Sequence, residues 1–506
     1  MPQCSPGRSC QGGNFPKVTH VEGNGRDLTS TRPRATENAV NPSTAAPRRF
    51  RTNQAQLTIT DPRDGSTVGS LAADGADQVR AVVTRAATAF PRWRATTAEK
   101  RGAALRAAAL TLDEHADELA ELEQRENGRH REACLGGIRA AVDTLRQYAE
   151  LGPLHRGRSL RGALGSIDLT RAEPRGIAAV ITPWNDPVAV TAGLIGAALV
   201  TGNVVISKPS ERCPHLGLRL VEILSDCFPL HVLQVLTGAA EVGETLITAP
   251  GVEIVAHVGS TAAGERIARV TALTGAHLIR ENGGNDALVV DADVDPRWAA
   301  SQAAIGAFTN SGQICTAVER IFVHRDLADE FLTALTAEAR KRNEEGALAP
   351  LVDERMRADV HEQVLASANE GARILEGGDL PDSPGAHYPA TVLTDLHPSM
   401  PLFSEETFGP VAPVMVVDSF EEGLRRAADD SYGLQATVLT DSMAHAALAV
   451  DALPVGTVKV NAVFGGAPGG SAEPRGRSGS GFGYGPELLD EMTTVKVVHV
   501  ESAVRR

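Results

Sequence analysis

From Gly176 onward the chain alternates short apolar runs with helical stretches. The runs are Ile177 to Ile181, Val204 to Ser207, Val232 to Leu236 and Ile254 to Val258, and among them lie the helical stretch Leu216 to Cys227 and a helix opening near Ser260. Parallel neighbours need a crossover connection, usually a helix, so this alternation predicts a doubly wound parallel α/β sheet. A second alternating series starts near Ala287 and runs through Ile321 to His324 and Val411 to Val417, which predicts a second α/β domain. At 506 residues the chain exceeds what one compact core holds, so two or three domains follow from length as well.

The segment from 77 to 150 reads as scaffold helices: Val79, Val82, Val83, Ala86 and Ala87 recur at helix spacing, as do Leu110, Leu112, Leu119 and Leu122. Residues 1 to 52 are rich in Pro, Gly, Ser, Thr, Asn and Arg without any period, and read as a disordered N-terminal extension. The longest apolar stretch, Val188 to Val200, fits a buried helix and is too short to span a bilayer. A net charge of -14 spread along the chain argues against nucleic acid as a partner, because phosphate binding wants a basic face. The six cysteines show no C-x-x-C and no His/Cys metal spacing. Scattered cysteines and no apolar leader point to reduced thiols, a cytoplasmic location, no membrane role and no bound metal.

Several polar segments interrupt the apolar runs where chemistry can sit. Cys315 lies in Asn310-Ser311-Gly312-Gln313-Ile314-Cys315-Thr316. A lone cysteine is usually structural, but a glycine-containing link between apolar stretches is a place for function. A thiol needs local help to become a good nucleophile, and a helix beginning here would supply backbone N–H groups. Glu281 ends a strand from His277 and is followed by two glycines, so its carboxylate faces the cleft where such sheets bind nucleotides. Thr182-Pro183-Trp184-Asn185-Asp186-Pro187 is a turn stiffened by prolines, and Asn185 can offer amide hydrogens to an oxyanion. Lys208, Ser210 and Glu211 close another strand, where ribose hydroxyls and a phosphate can bind. Gly259-Ser260-Thr261-Ala262-Ala263-Gly264 opens a helix whose N-terminus suits a pyrophosphate.

In order, Pro-Trp-Asn, Lys-Pro-Ser-Glu, Gly-Ser-Thr-x-x-Gly, Glu-Asn-Gly-Gly, Gly-Gln-x-Cys, Glu-Glu-Thr-Phe-Gly-Pro and Ser-Gly-x-Gly closely resemble the aldehyde dehydrogenase superfamily over roughly 56 to 500. The resemblance implies Cys315 as nucleophile, Glu281 as general base, and Asn185 with the Cys315 N–H as oxyanion hole. It implies a coenzyme site of Trp184, Lys208, Ser210, Glu211, Gly259, Ser260, Gly283, Glu406 and Phe408. The implied fold is α/β: a dinucleotide-binding domain over 53–156 and 175–281, a catalytic domain over 282–481, and a small β oligomerisation element over 157–174 and 482–506. The implied partners are a small-molecule aldehyde and further copies of the chain, as homodimer or homotetramer.

The chain departs from the family pattern in three places. The loop at Asn343-Glu344-Glu345-Gly346 is short. Lys459 stands where the family often has tryptophan, and the Pro-Phe-Gly-Gly anchor is replaced by Pro468-Gly469-Gly470-Ser471-Ala472-Glu473-Pro474-Arg475-Gly476-Arg477. Arg475 and Arg477 are therefore expected at the substrate mouth, favouring an anionic aldehyde: a semialdehyde, phosphorylated or phosphonate aldehyde. The coenzyme expected is NAD, since Glu211 repels a 2′-phosphate, with NADP admitted by Lys208. Two other readings stay open. One is a CoA-acylating dehydrogenase, which a water-activating Glu281 argues against; the other is a catalytically silent member acting as a binding protein, which intact Cys315, Glu281 and Asn185 argue against.

Overall fold

A computed structural model describes residues 55–467 and 469–501; the extension expected over 1–52 lies outside them. The first series of runs forms a six-stranded sheet in the order Gly479–Ser480, His277–Glu281, Val252–Val258, Ile177–Ile181, Val204–Lys208, Leu233–Val235. All neighbours are parallel except Gly479–Ser480, which runs antiparallel to His277–Glu281. The central strands are apolar and buried without alternation, as strands covered on both faces must be. The Val188 stretch becomes the helix Pro187–Thr201, buried at nearly every position, entered through a proline and ended by Gly202 at φ +101°. The helices Ala76–Arg94, Ala98–Glu114, Ala116–Asn127 and Arg131–Leu154 join the same core through Val79, Leu105, Leu119 and Tyr148.

The second series forms a seven-stranded sheet: Arg373–Glu376, Thr391–Thr394, Val411–Val417, Val318–His324, Asp286–Val290, Gln435–Leu439, Thr457–Val460. It is parallel apart from its outermost Arg373–Glu376 strand. A third sheet pairs Thr493–Val500 along the whole of Ile167–Pro174, with Ser159–Leu160 on the other side. Its Val495, Val497 and Ile167 side chains are exposed. Among the described residues no helix is long and apolar enough to cross a membrane, and no cluster of three His, Cys, Asp or Glu side chains could hold a metal ion.

Register explains where a site can form. Ile181 lies opposite both Lys208 and His257, His257 opposite Arg280, and Val258 opposite Glu281. The turns that follow these strands therefore stand side by side along the carboxyl edge of the first sheet. The second sheet begins at Asp286 directly beyond Glu281, and its Val318–His324 and Val411–Val417 strands start just after Cys315 and Phe408. The carboxyl edge of one sheet thus meets the amino edge of the other.

Candidate active site

The Cys315 loop has an unusual path. Asn310, Ser311 and Gly312 adopt left-handed backbone in succession, at φ +50°, +56° and +74°. Two of these are not glycine, and such strain persists only where surroundings over-determine it. Here they do. A Cβ at Gly312 would stand 2.0 Å from the Gly409 carbonyl oxygen. The Ser311 hydroxyl donates to the Ala349 carbonyl at 2.6 Å, the Gln313 amide donates to the Pro350 carbonyl at 3.3 Å, and Val352 N–H donates back to Gln313 at 2.9 Å. The expected helix start at Cys315 is not found: a short 3-10 turn, Thr309–Gly312, ends before it and Cys315 sits in a turn leading into Val318–His324. Three left-handed residues prevent a right-handed helix from forming across this loop.

Asn185 reaches this loop from the first sheet, its amide donating to the Gln313 carbonyl at 3.1 Å. Glu281 ends a strand two places along the same sheet, and its charge raises the pKa of the thiol ahead of Asp286 and Glu406. Burial first, and then these three carboxylates, push the Cys315 thiol well above its ordinary range. Burial also lifts Glu281 to about 7, against a partly offsetting N–H from Gly483. The Gly483 α-carbon lies so close to that carboxyl that a Cβ there would be 2.3 Å from its carbon. A nucleophile, an amide donor and a carboxyl poised near neutrality therefore converge. The Gly283-Gly284 link joins them: a Cβ on Gly284 would meet both Asp286 and the Cys315 carbonyl oxygen, at 2.5 and 2.7 Å.

Beside them stand the residues expected to line a coenzyme groove. Lys208 is buried at the end of its strand, its ammonium donating to the Pro209 carbonyl at 2.8 Å and standing 3.8 Å from Glu211. Burial lowers its pKa, with Glu211 opposing. Ser210 is buried and braces the turn by accepting from Arg212 N–H at 3.2 Å. Ser260 caps the helix Thr261–Thr274, accepting from Ala263 N–H at 3.4 Å, which leaves the other first-turn N–H groups facing outward. Gly259 N–H is tied to the Glu281 carbonyl at 3.0 Å, so the capped turn and the candidate base move as one. Glu406 accepts from Gly284 N–H at 3.2 Å, and any side chain at Gly283 would collide with its carboxylate. Phe408, at φ +54°, meets the Trp184 ring edge to face at 5.5 Å.

Residues 50–498 match the sequence profile described as Aldehyde dehydrogenase family. The chain belongs to that family. Benzaldehyde dehydrogenase [NAD(+)] of Pseudomonas putida is 34% identical over 86% of this chain and 91% of its own length. The alpha-ketoglutarate semialdehyde dehydrogenase of Haloferax volcanii is 34% identical over 80% of this chain and 86% of its own. Among solved structures, PnpE in complex with nicotinamide adenine dinucleotide superposes with a TM-score of 0.86 at 30% identity, covering 90% of this chain and 96% of that one. The fold is thus that of an aldehyde dehydrogenase, and the chain is an enzyme of that family.

Arg475 and Arg477, expected at the substrate mouth, make contacts of their own. Arg477 pairs with Glu265 on the Thr261–Thr274 helix at 3.0 Å and lies over the Tyr432 ring at 5.1 Å. Its charge acts on Glu406. Arg475 is exposed, its backbone N–H tied to the Gly433 carbonyl. The Gly479–Ser480 strand draws this segment along His277–Glu281. Other residues went unremarked. Glu319 receives the N–H groups of Thr407 and Phe408 and so holds the loop carrying Glu406; its signal was a buried acid at the start of an apolar strand. Arg129 pairs with Asp186, the neighbour of Asn185.

Proposed function

We propose that this enzyme oxidises an aldehyde to its carboxylic acid, with Cys315 as the attacking thiol and Glu281 as the base that activates water. What carries this reading is that the charge of the Glu281 carboxyl acts on the Cys315 thiol while the Asn185 amide is hydrogen-bonded to the Cys315 loop. The Cys315 thiol loses its proton to solvent and the resulting thiolate adds to the carbonyl carbon, forming the thiohemiacetal oxyanion. Asn185 and the Cys315 N–H hold the oxyanion, a contribution of roughly 3–4 kcal/mol for a strong donor. The nicotinamide of the coenzyme, when bound, takes up the hydride. Glu281 then draws a proton from water, which cleaves the thioester and frees the acid. A carboxyl lifted to about 7 suits that task at neutral pH.

The groove fits the coenzyme: buried Lys208 with Glu211 beside it for the adenosine ribose, the capped helix N-terminus at Ser260 for the pyrophosphate, and Glu406 under Gly283 for the second ribose. NAD is favoured because Glu211 would oppose a 2′-phosphate. Glu211→Gln is expected to raise kcat/KM for NADP relative to NAD about tenfold, the effect of losing one adjacent like charge; an unchanged ratio would remove Glu211 from that role. The whole reading is tested by following NADH and acid formation with a panel of aldehydes. NADH without free acid unless coenzyme A is supplied would favour the acylating alternative.

The names of two relatives, alpha-ketoglutarate semialdehyde dehydrogenase and succinate-semialdehyde dehydrogenase [NADP(+)] GabD of Escherichia coli, support an anionic aldehyde. Those of benzaldehyde and vanillin dehydrogenase support a neutral aromatic one. Arg477, engaged by Glu265, favours neither. Changing Arg475 and Arg477 together to alanine is accordingly expected to leave the kcat/KM ratio of succinic semialdehyde to benzaldehyde within about twofold. A selective loss of the anionic substrate would return these arginines to the aldehyde mouth. The exposed strand Thr493–Val500 supports contact between copies, as homodimer or homotetramer; the mass by light scattering tests it.

A further inference from the structure

We infer that Asn127, Arg129 and Asp186 form a clamp that positions the oxyanion donor Asn185. This rests on the reading of Asn185 given above. Both chain neighbours of Asn185 are tied to one short turn between the helices Ala116–Asn127 and Arg131–Leu154. The Asn127 amide donates to the Trp184 carbonyl at 3.0 Å, and the Arg129 guanidinium donates to the Asp186 carboxylate at 2.8 Å. A residue fastened on either side has little freedom to swing its own side chain.

The turn is itself braced. Arg129 N–H donates to the Asn127 side chain at 3.0 Å, and the guanidinium nitrogen that meets Asp186 also donates to the fully buried Glu123 at 2.9 Å. Between them Gly128 is left-handed at φ +76°, and a Cβ there would stand 2.5 Å from the Pro350 ring and 2.8 Å from that of Pro62. The Pro350 carbonyl is the one that receives the Gln313 amide of the Cys315 loop. One turn therefore bears on both arms of the oxyanion hole: on Asn185 through Asp186 and Trp184, and on the Cys315 backbone through Pro350 and Gln313. The helix Arg131–Leu154 also makes room for the carboxylate, since a Cβ at Gly137 would be 2.5 Å from the Asp186 oxygen.

A merely stabilising ion pair would be an odd use of this place. Two carboxylates share one mostly buried guanidinium, and such a pair returns little stability over apolar packing. What it does supply is fixed geometry, and misplacing a catalytic donor by about 1 Å can slow a reaction about a hundredfold.

The test is single-turnover NADH formation at saturating aldehyde and NAD, with NADH affinity measured on the same samples. Asp186→Ala is expected to slow that step about ten- to a hundredfold, with the aldehyde KM and the NADH dissociation constant within about threefold of the parent enzyme. Asp186→Asn, which keeps an acceptor oxygen for Arg129, is expected to recover most of the rate. Asn185→Ala combined with Asp186→Ala should be no slower than Asn185→Ala alone, because the clamp acts through Asn185. Should Asp186→Ala fail to fold, Arg129→Gln, which removes the cation both carboxylates share, is expected to give a loss that likewise vanishes in the Asn185→Ala background. A rate within twofold of the parent in both variants, or losses that multiply with Asn185→Ala, would overturn the clamp. An Asn185→Ala variant as fast as the parent would instead overturn the oxyanion reading on which it rests.

Discussion

Replacing Cys315 with alanine is expected to lower NADH formation from any aldehyde at least about ten-thousandfold while NADH still binds. Hydride can leave only after something has added to the carbonyl carbon, and the sulfur is the group the pocket presents for that addition. Alanine removes it and leaves Asn185, Glu281 and the coenzyme groove intact, so loss of rate with retained affinity separates chemistry from folding. Rate measurements with fluorescence titration of NADH decide it; an alanine variant within a hundredfold of the parent would put the reaction elsewhere. The thiol's surroundings add a pH signature. Burial and the Glu281, Asp286 and Glu406 carboxyls hold its pKa above the ordinary range, so little thiolate exists at neutral pH in the free enzyme. Alkylation of Cys315 by iodoacetamide is therefore expected to be slow at pH 7 and still rising at pH 9, since each step upward in pH increases the reactive fraction. A plateau below neutrality would contradict that electrostatic picture.

Glu281→Gln should break the cycle at a different point. Addition and hydride transfer need the sulfur, so one NADH per active site is expected to form in a fast phase. Steady turnover is then expected to fall about a hundred- to a thousandfold, because nothing deprotonates the water that must cleave the thioester. Stopped-flow absorbance gives both phases, and acid quenching should recover acyl-enzyme. In the parent enzyme the carboxyl is lifted to about 7 by burial. Only its ionised form accepts a proton, so thioester hydrolysis should rise between pH 6 and 8 and level off above, and this rise should be missing in the variant. Full multiple turnovers by Glu281→Gln would remove Glu281 from hydrolysis.

Much of the architecture was legible before any coordinates. Strands of a parallel sheet buried on both faces appear as unbroken apolar runs, and Ile177 to Ile181 and Val411 to Val417 coincide with the strands that form. Val188 to Val200 forms the buried helix its composition requires. The two-residue strand Gly479–Ser480 was not legible, because its only cause is the pairing that His277–Glu281 offers it. Nor was the backbone before Cys315: asparagine tolerates left-handed conformation, but Ser311 carries no such signal, and the Gly409, Ala349 and Pro350 backbone imposes the path from afar.

The sequence alone determined the order of strand ends and the residue types that close them: Asn185, Lys208, Ser260 and Glu281 each end or follow an apolar run, and Cys315 sits in a polar link. It could do so because burial and turn chemistry are written into neighbouring residues. Only the tertiary structure decided which charge meets which. Arg477 is taken by Glu265, Arg129 by Asp186, and Asn185 by the Gln313 carbonyl. Such pairings join residues distant in the chain, and they are set by how helices and sheet edges pack, which no local pattern of residues encodes.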